Sequence, residues 1–207
     1  MTASVPQSET SFLTEVAEPS EAARALYQED RYELGYVMNT SRLWAHLPEA
    51  DTGIFEVAKL AVGTARLSDR DRGILVTSAT STLGDSYCSL VWGSKLAGLA
   101  TPEFSAALLR GEDEPLDDRE RVLAQWARQV AAEPNAIRAL DVQALRDNGY
   151  DDRQIMAITV YVAMRIAIAT VNDALGARPD GQLRQTVPAP VLDAVKYGRP
   201  IATAHSA

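Results

Sequence analysis

Residues 83–92 have the sequence LGDSYCSLVW and contain Cys88, the only cysteine of the 207-residue chain. The initial Leu-Gly pair is typical of a helix end, because glycine adopts the left-handed conformation that closes a helix. Asp85 is a favoured N-cap residue, so we predict that a second helix begins directly after it. Cys88 then lies in the first turn of this helix, and Trp92 follows one turn later on the same face. The stretch therefore predicts two consecutive helices with a cysteine just inside the second.

Apolar residues at helical spacing cover most of the remaining chain. They predict helices over residues 21–29, 40–47, 49–65, 68–83, 86–99, 102–111, 117–132, 141–148 and 151–175. No stretch alternates with the period of a strand, so we predict an all-α fold. We divide the chain into a flexible N-terminal tail (1–19), a single helical domain (20–176) and a mostly irregular C-terminal tail (177–207), with one helical turn near 191–197.

The longest helical pattern begins at Asp151, with Gln154 as its capping-box partner. It is apolar on nearly every face, which is typical of a central buried helix or of a subunit contact. Both interpretations stay open.

Composition limits the classes of partner. A hydrophobic content of 46% over this length is sufficient for one substantial core. The formal net charge is −8 and the basic residues are scattered, which argues against nucleic acid and acidic membranes as partners. We expect no membrane-spanning segment and no signal peptide. A single cysteine cannot form an internal disulfide, and this fits a reducing cytoplasm.

The stretch 83–92 resembles a segment of the alkyl hydroperoxidase D and carboxymuconolactone decarboxylase family, in its peroxidase-related branch. Redox members of this family carry the motif Glu-x11-Cys-x2-Cys-x3-His across such a helix pair. In this chain the same spacing places Gly73 at the glutamate, Asp85 at the first cysteine, Cys88 at the second cysteine and Trp92 at the histidine. The motif is therefore degenerate.

Segments on either side support the resemblance, which spans approximately Tyr32 to Asp180. The similar segments are Gly35–Asn39, Ala45–Glu49, Leu108–Gly111, Asp141–Arg146 and Val171–Gly176, with Met38 where the family usually has proline. The resemblance implies an alkyl hydroperoxidase D-like helical bundle, a peroxidase-like antioxidant oxidoreductase that reduces hydroperoxides, and a homo-oligomer of three or six subunits.

The dithiol reaction of the family needs residues that this chain lacks. In dithiol members, the glutamate and histidine relay a proton, the second cysteine attacks the peroxide and the first resolves the product as a disulfide. Asp85 cannot form a disulfide with Cys88, and Trp92 is not a base. A helix dipole contributes about 0.3–1 kcal/mol, below the ~1.4 kcal/mol that one pKa unit requires. We therefore expect Cys88 to be mainly a thiol, with its simplest role that of a small buried residue beneath Trp92.

Five residues in or near the motif each have a functional and a structural interpretation. Asp85 is either a plain N-cap or a catalytic carboxylate that faces a pocket. Asp71 and Arg72 adjoin the vacant glutamate position and are pocket candidates, although helix capping explains the first and solvent exposure the second. Tyr87 and Trp92 are candidate pocket walls, although aromatic residues at helical spacing are more often part of a core.

Metal and cofactor signatures are missing from the sequence. The two histidines, His46 and His205, have no ligand-type neighbours at metal spacing. No glycine-rich phosphate loop and no Gly-x-Ser-x-Gly elbow occurs. We expect neither a metal nor a cofactor.

Three functions stay open. The first is an enzyme acting on a hydroperoxide or a small organic acid, with Cys88 as a one-cysteine peroxidatic residue recycled by an external thiol. The second is a diverged small-molecule-binding or lyase-type site that uses Asp85 and a tryptophan-lined cavity. The third is a non-catalytic subunit that packs against an intact homologue through residues 151–175.

Overall fold

The computed structural model of the chain describes residues 10–203, and in that range it contains eleven α-helices and no strand. The all-α prediction is confirmed. The helices are α1 (Glu21–Leu34), α2 (Asn39–Trp44), α3 (Pro48–Ala65), α4 (Asp69–Leu83), α5 (Ser86–Leu99), α6 (Pro102–Leu109), α7 (Asp118–Ala132), α8 (Ala139–Asp147), α9 (Asp152–Ala174), α10 (Leu183–Thr186) and α11 (Ala189–Ala194), with a 3-10 turn at Pro134–Ala136.

Local capping residues set most of the helix starts, as predicted. The Ser68 hydroxyl accepts a hydrogen bond from the Asp71 backbone N–H at 3.1 Å, and the Asp71 carboxylate accepts one from the Ser68 N–H. The same reciprocal pair forms between Asp151 and Gln154 at the start of α9. Each pair satisfies backbone donors that the first helical turn leaves without partners.

Two helix starts differ from the prediction. Pro48 is the first residue of α3 rather than a break before it. The backbone N–H at a first helical position has no partner within the helix, so proline, which lacks this N–H, is tolerated there. Helix α8 begins at Ala139, before Asp141, since the Asp141 carboxylate caps the helix from its third position by accepting from the Arg138 N–H at 2.8 Å.

Helix α4 lies at the centre of the molecule and packs against α5, α6, α7 and α9. Its residues 73–80 are all buried, and Ile74 and Leu75 have no exposed surface. Helix α9 packs against α3, α4, α7 and α8, so it contributes to the core. It also has an outer face on which Met156 is 66% exposed. The interpretation of α9 as a core helix is therefore supported, and the subunit contact stays a prediction.

Helix α9 is also long and apolar enough to cross a membrane, with a mean hydropathy of 1.7 over its most apolar window. The expectation that the chain has no membrane-spanning segment stays a prediction, because this measure rests on length and composition only. A core helix of a water-soluble protein has the same composition, and 44% of this window is buried by the rest of the structure. Length and hydropathy alone therefore do not assign α9 to a membrane.

The segment 177–203 packs on the helical domain. It contains α10 and α11, and Val191 of α11 is fully buried in a cluster with Leu90 and Leu109. The first described residues lie beside it, because the Arg178 N–H donates to the Thr10 carbonyl at 2.9 Å, and the Phe12 N–H donates to the Leu175 carbonyl at 2.8 Å. The parts of both predicted tails that the structure describes thus contact the folded core, while residues 1–9 and His205 lie outside the described range.

Candidate functional site

The turn between α4 and α5 positions Asp85 and Cys88. Gly84 ends α4 in the left-handed conformation (φ 75°). Asp85 caps α5, as predicted, and its Oδ1 accepts a hydrogen bond from the Cys88 N–H at 3.1 Å. Asp85 is completely buried, and its Oδ2 has no hydrogen-bond partner among the residues described. One carboxylate oxygen of Asp85 is therefore available for a further interaction.

Cys88 is a buried free thiol that belongs to the main core together with Trp92. Burial raises the pKa of the Cys88 thiol well above its usual value, and the negative charge of Asp85 adds to the rise. The positive charge of Arg165 on α9 opposes both effects without cancelling them. The local environment thus favours the protonated thiol, which is a poor nucleophile.

Gly73, at the position of the family's glutamate, lies directly against α5. A Cβ atom on Gly73 would lie 3.0 Å from Cδ1 of Leu96 and 3.3 Å from its Cβ. Leu96 has no exposed surface, so it cannot move aside easily. A longer side chain at position 73 therefore requires the buried Leu96 to shift.

Asp71 is occupied by contacts with α7. Its carboxylate caps α4 and forms a bidentate ion pair with Arg119, whose Nη1 and Nη2 atoms lie 2.8 and 3.2 Å from Oδ1 and Oδ2. Burial by itself would raise the pKa of Asp71, but the hydrogen bonds from Arg119 and Ser68 outweigh it and lower the pKa. The geometry accounts for Asp71 as a structural residue.

Tyr87 faces away from Trp92 into a buried hydrogen-bond network. Its hydroxyl donates to Asp180 of the C-terminal segment and accepts from the Thr40 hydroxyl, 3.1 Å away. Asp180 also accepts from the Asn39 N–H at 2.7 Å. Burial, then the negative charge of Asp180, raises the pKa of Tyr87 well above its usual value. This network ties the C-terminal segment to α2 and α5.

Trp92 lies among three basic side chains. The Cζ atom of Arg165 is 4.9 Å from the indole centroid, the Nζ atom of Lys95 is 5.1 Å away and the Cζ atom of Arg72 is 5.7 Å away. Cations at such distances are attracted to the face of an indole ring. Arg72, a pocket candidate from sequence, thus contacts Trp92, and its Nη1 also pairs with Asp69 at 2.8 Å.

The sequence analysis missed Arg165 and Lys95, and Arg165 is the buried one of the two. It is only 6% exposed, and its Nε is buried without a hydrogen-bond partner in residues 10–203. No carboxylate in that range forms an ion pair with it; its ring contacts are with Trp92 and with Phe55, whose centroid is 5.7 Å away. The available signal was an arginine in the middle of the apolar run of α9, since an unpaired charge is rarely buried without a reason.

Asp85, Cys88, Trp92, Arg72, Lys95 and Arg165 form what we call the Trp92 cluster. Two surface depressions, of about 620 and 420 Å³, lie elsewhere, beside Phe104 and beside Ile137 respectively. Within residues 10–203, no three His, Cys, Asp or Glu side chains are grouped so that they could hold a metal ion.

Comparison with known proteins identifies the fold. No protein-family model and no curated protein matches the sequence. A peroxidase-related protein of uncharacterized function from a Silicibacter species superposes with a TM-score of 0.75 at 21% identity, over 88% of this chain and 98% of its own. An uncharacterized peroxidase-related protein from Ralstonia eutropha, described as an alkylhydroperoxidase AhpD core, gives 0.73 at 19% identity over 84% and 94%.

A third solved structure belongs to an enzyme with a different printed activity. The debrominase Bmp8, as a cysteine-to-alanine variant in complex with 2,3,4-tribromopyrrole, superposes with a TM-score of 0.70 at 14% identity, over 90% of this chain and 100% of its own. These likenesses establish that the chain has the alkylhydroperoxidase AhpD-like fold, as the resemblance of residues 83–92 indicated.

Proposed function

We propose that this protein is a diverged AhpD-like protein whose Trp92 cluster binds and acts on a small molecule without dithiol chemistry. The observation that carries the proposal is the environment of Cys88. The only thiol of the chain is buried and has a raised pKa, while the neighbouring Asp85 keeps one buried oxygen without a partner. The chemistry available at this place is therefore that of a carboxyl group rather than that of a thiolate.

Reduction of a hydroperoxide by a thiol needs two things that Cys88 lacks. The attacking group must be a thiolate, and the raised pKa disfavours that form at neutral pH. The sulfenic acid that forms when the peroxide O–O bond breaks must then be reduced by a second thiol. Because the chain has one cysteine, that thiol would have to come from another molecule.

Asp85 is suited to hydrogen bonding or proton exchange with a ligand. Burial raises its pKa, while hydrogen bonds from Cys88 and Tyr87 and the charge of Arg165 oppose the rise. A carboxyl group with a raised pKa retains its proton more readily, so it can donate a proton to a ligand as well as accept one. The neighbouring debrominase structure supports the view that this fold accommodates small organic molecules, since it contains 2,3,4-tribromopyrrole.

The competing proposals are a one-cysteine peroxidase and a non-catalytic subunit. The environment of Cys88 weighs against the first. The exposed apolar face of α9, with Met156, is compatible with association into a homo-oligomer or with a homologue. Such association does not exclude a small-molecule site in the same chain.

A peroxide assay tests the proposal. Purified protein is incubated with cumene hydroperoxide and dithiothreitol, and peroxide consumption is compared with that of Cys88→Ser. We expect no turnover above the protein-free rate in either sample. Iodoacetamide labelling of Cys88, followed by mass spectrometry, should be slow at neutral pH and should accelerate as pH rises, because the thiolate is the reactive form. A steady rate that Cys88→Ser abolishes would overturn the proposal.

A further inference from the structure

Three buried hydrogen-bond donors beside Trp92 have no acceptor among the residues described. They are Nε of Arg165, Nε of Arg72 and the hydroxyl of Tyr161. A buried donor without an acceptor is unfavourable, because it has lost its water without gaining another partner. Three such donors in one place indicate that an acceptor is missing from that place.

The three donors converge. Tyr161 and Arg165 lie one turn apart on α9 and therefore on the same face. Burial raises the pKa of Tyr161, while the positive charge of Arg165 and a hydrogen bond donated by Arg72 to the phenol oxygen oppose the rise, so both guanidinium groups act on this phenol and its own O–H still needs an acceptor. Both also lie over the Trp92 ring, with Cζ atoms 4.9 and 5.7 Å from its centroid.

Positive charge accumulates here in a chain whose net charge is −8. Neither Arg165 nor Lys95 forms an ion pair with any residue that the structure describes, and only Arg72 has such a partner, in Asp69. Burial lowers the pKa of Lys95, and repulsion from Arg165 lowers it further. Four acidic groups act on the basic side chains of the cluster: Asp69 on Arg72, Asp85 and Asp51 on Arg165, and Glu33 on Lys95. Asp173 acts on Cys88.

We propose that Arg165, Arg72, Lys95 and Tyr161 bind the oxyanion of a small organic ligand, such as a carboxylate or a sulfonate. An anion supplies acceptors to all three donors and offsets the repulsion among the cations, and the planar guanidinium of Arg165 suits a two-oxygen acceptor. This inference deepens the proposed function and rests on it, because it gives the charge class of the ligand of the Trp92 cluster.

The body of the ligand is apolar. Trp92 and Phe55 flank the Arg165 guanidinium, at 4.9 and 5.7 Å from their ring centroids. Phe55 is 45% exposed, so its ring can turn towards solvent without disturbing the core and so open a path to Arg165. An inorganic anion would satisfy the donors but would gain no apolar contact with these two rings.

Isothermal titration calorimetry tests the inference with four probes at constant ionic strength. Benzoate and benzenesulfonate carry the oxyanion on an apolar ring, benzamide is the neutral counterpart, and sulfate is the inorganic one. We expect the two organic oxyanions to bind and benzamide to give no heat. Arg165→Met should weaken benzoate binding by about tenfold or more, since charge-assisted hydrogen bonds are lost. Arg153→Met, at an exposed arginine of the same helix, should bind benzoate like the wild type.

The same titrations can overturn the inference. Equal binding of benzoate and benzamide, equal binding by Arg165→Met and wild type, or no binding of either organic oxyanion would each do so. Sulfate binding as tight as benzenesulfonate binding would overturn the organic part. If Arg165→Met does not fold, Lys95→Met and its control Lys59→Met decide: the first should weaken benzoate binding several-fold and the second should not.

Failure of this inference is distinguishable from failure of the proposed function. Absence of oxyanion binding leaves the result of the peroxide assay unchanged. Peroxide turnover that depends on Cys88 would instead overturn the proposed function, whatever the titrations with benzoate show.

Discussion

Two sides of the first turn of α5 differ in how their polar groups are satisfied. On one side, Tyr87, Thr40 and Asp180 form a closed buried network in which the phenol both donates and accepts. On the other side, beginning at the next residue, Cys88 and Trp92 lie near donors and a carboxylate oxygen that have no partner in the described chain. The contrast separates a polar cluster that maintains the fold from one that is incomplete without a ligand.

The largest expected effect comes from disrupting the closed hydrogen-bond network of Tyr87, Thr40 and Asp180. Asp180→Ala leaves the Tyr87 hydroxyl and the Asn39 N–H buried without their acceptor. We expect the free energy of unfolding to fall by about 3–5 kcal/mol, the usual cost of removing one member of a buried polar pair. Urea denaturation followed by circular dichroism measures it. Asp193→Ala, at an exposed carboxylate, is the control and should change stability little. A loss from Asp180→Ala no larger than that of the control would show that the network is dispensable.

Asp51 interacts with Arg165 of the Trp92 cluster and makes the stability of the protein depend on pH. Burial, then the charges of Asp30 and Glu29, raises its pKa to about 6, and Arg165 opposes this. The folded state therefore holds the proton more tightly than the unfolded state does. The contribution of Asp51 to stability is greatest below about pH 4, falls as pH rises towards 6 and then levels off.

Asp51→Asn should remove this fall and raise the free energy of unfolding at pH 7 by about 2 kcal/mol, since each pKa unit corresponds to about 1.4 kcal/mol. Urea unfolding at pH 4, 6 and 7 measures the effect. The matched control is Glu49→Gln, at an exposed acid in the same helix turn. Parallel pH profiles of Asp51→Asn and wild type would contradict the assignment.

A smaller effect is expected where the C-terminal segment covers the start of α5. Gly198 has a φ of +70°, and a Cβ atom there would lie 2.6 Å from the Gly84 carbonyl oxygen. Gly198→Ala should cost about 1–3 kcal/mol of stability and speed iodoacetamide labelling of Cys88. Gly53→Ala, in α3 with open space around its Cβ, should be neutral or stabilising. Unchanged labelling in Gly198→Ala would mean that this segment does not shield the thiol.

The smallest effect is expected from removing one hydrogen bond of the Tyr87 network. Thr40→Val keeps the shape of the side chain but removes its hydrogen bond to the Tyr87 hydroxyl. The phenol still donates to Asp180, so the expected loss is about 1 kcal/mol, that of one neutral hydrogen bond. Chemical denaturation of both proteins under identical conditions measures it, with the exposed Thr170→Val as control. A loss equal to that of Asp180→Ala would show that the network acts as one unit.

The sequence predicted the helices because their starts are determined locally. Asp85, Ser68 and Asp151 each bond to a backbone N–H three residues further on, and such pairs are visible in a linear pattern. The resemblance of residues 83–92 to a known family predicted the fold from the same short range. Pro48 was misinterpreted because a proline at a first helical position and a proline that breaks a helix look alike until the following turn is known.

The candidate site was predictable only in part. Asp85, Cys88 and Trp92 lie on one helix, so their proximity follows from their spacing. Arg165 comes to Trp92 through the packing of α9, and Tyr87 meets Asp180 across 93 residues of chain. Neither contact follows from helical periodicity, which specifies the buried face of a helix but not its neighbour.

The contact between Gly73 and Leu96 also constrains how this lineage could change. Engineering or evolution could place cysteine at 85 and histidine at 92 by single substitutions. A glutamate at 73, however, has to displace a leucine whose Cδ1 lies 3.0 Å from the glycine's own Cβ position. Installing the complete family motif therefore requires Leu96 to shift as well, so it depends on the packing of α5 against α4 and not only on the four motif positions.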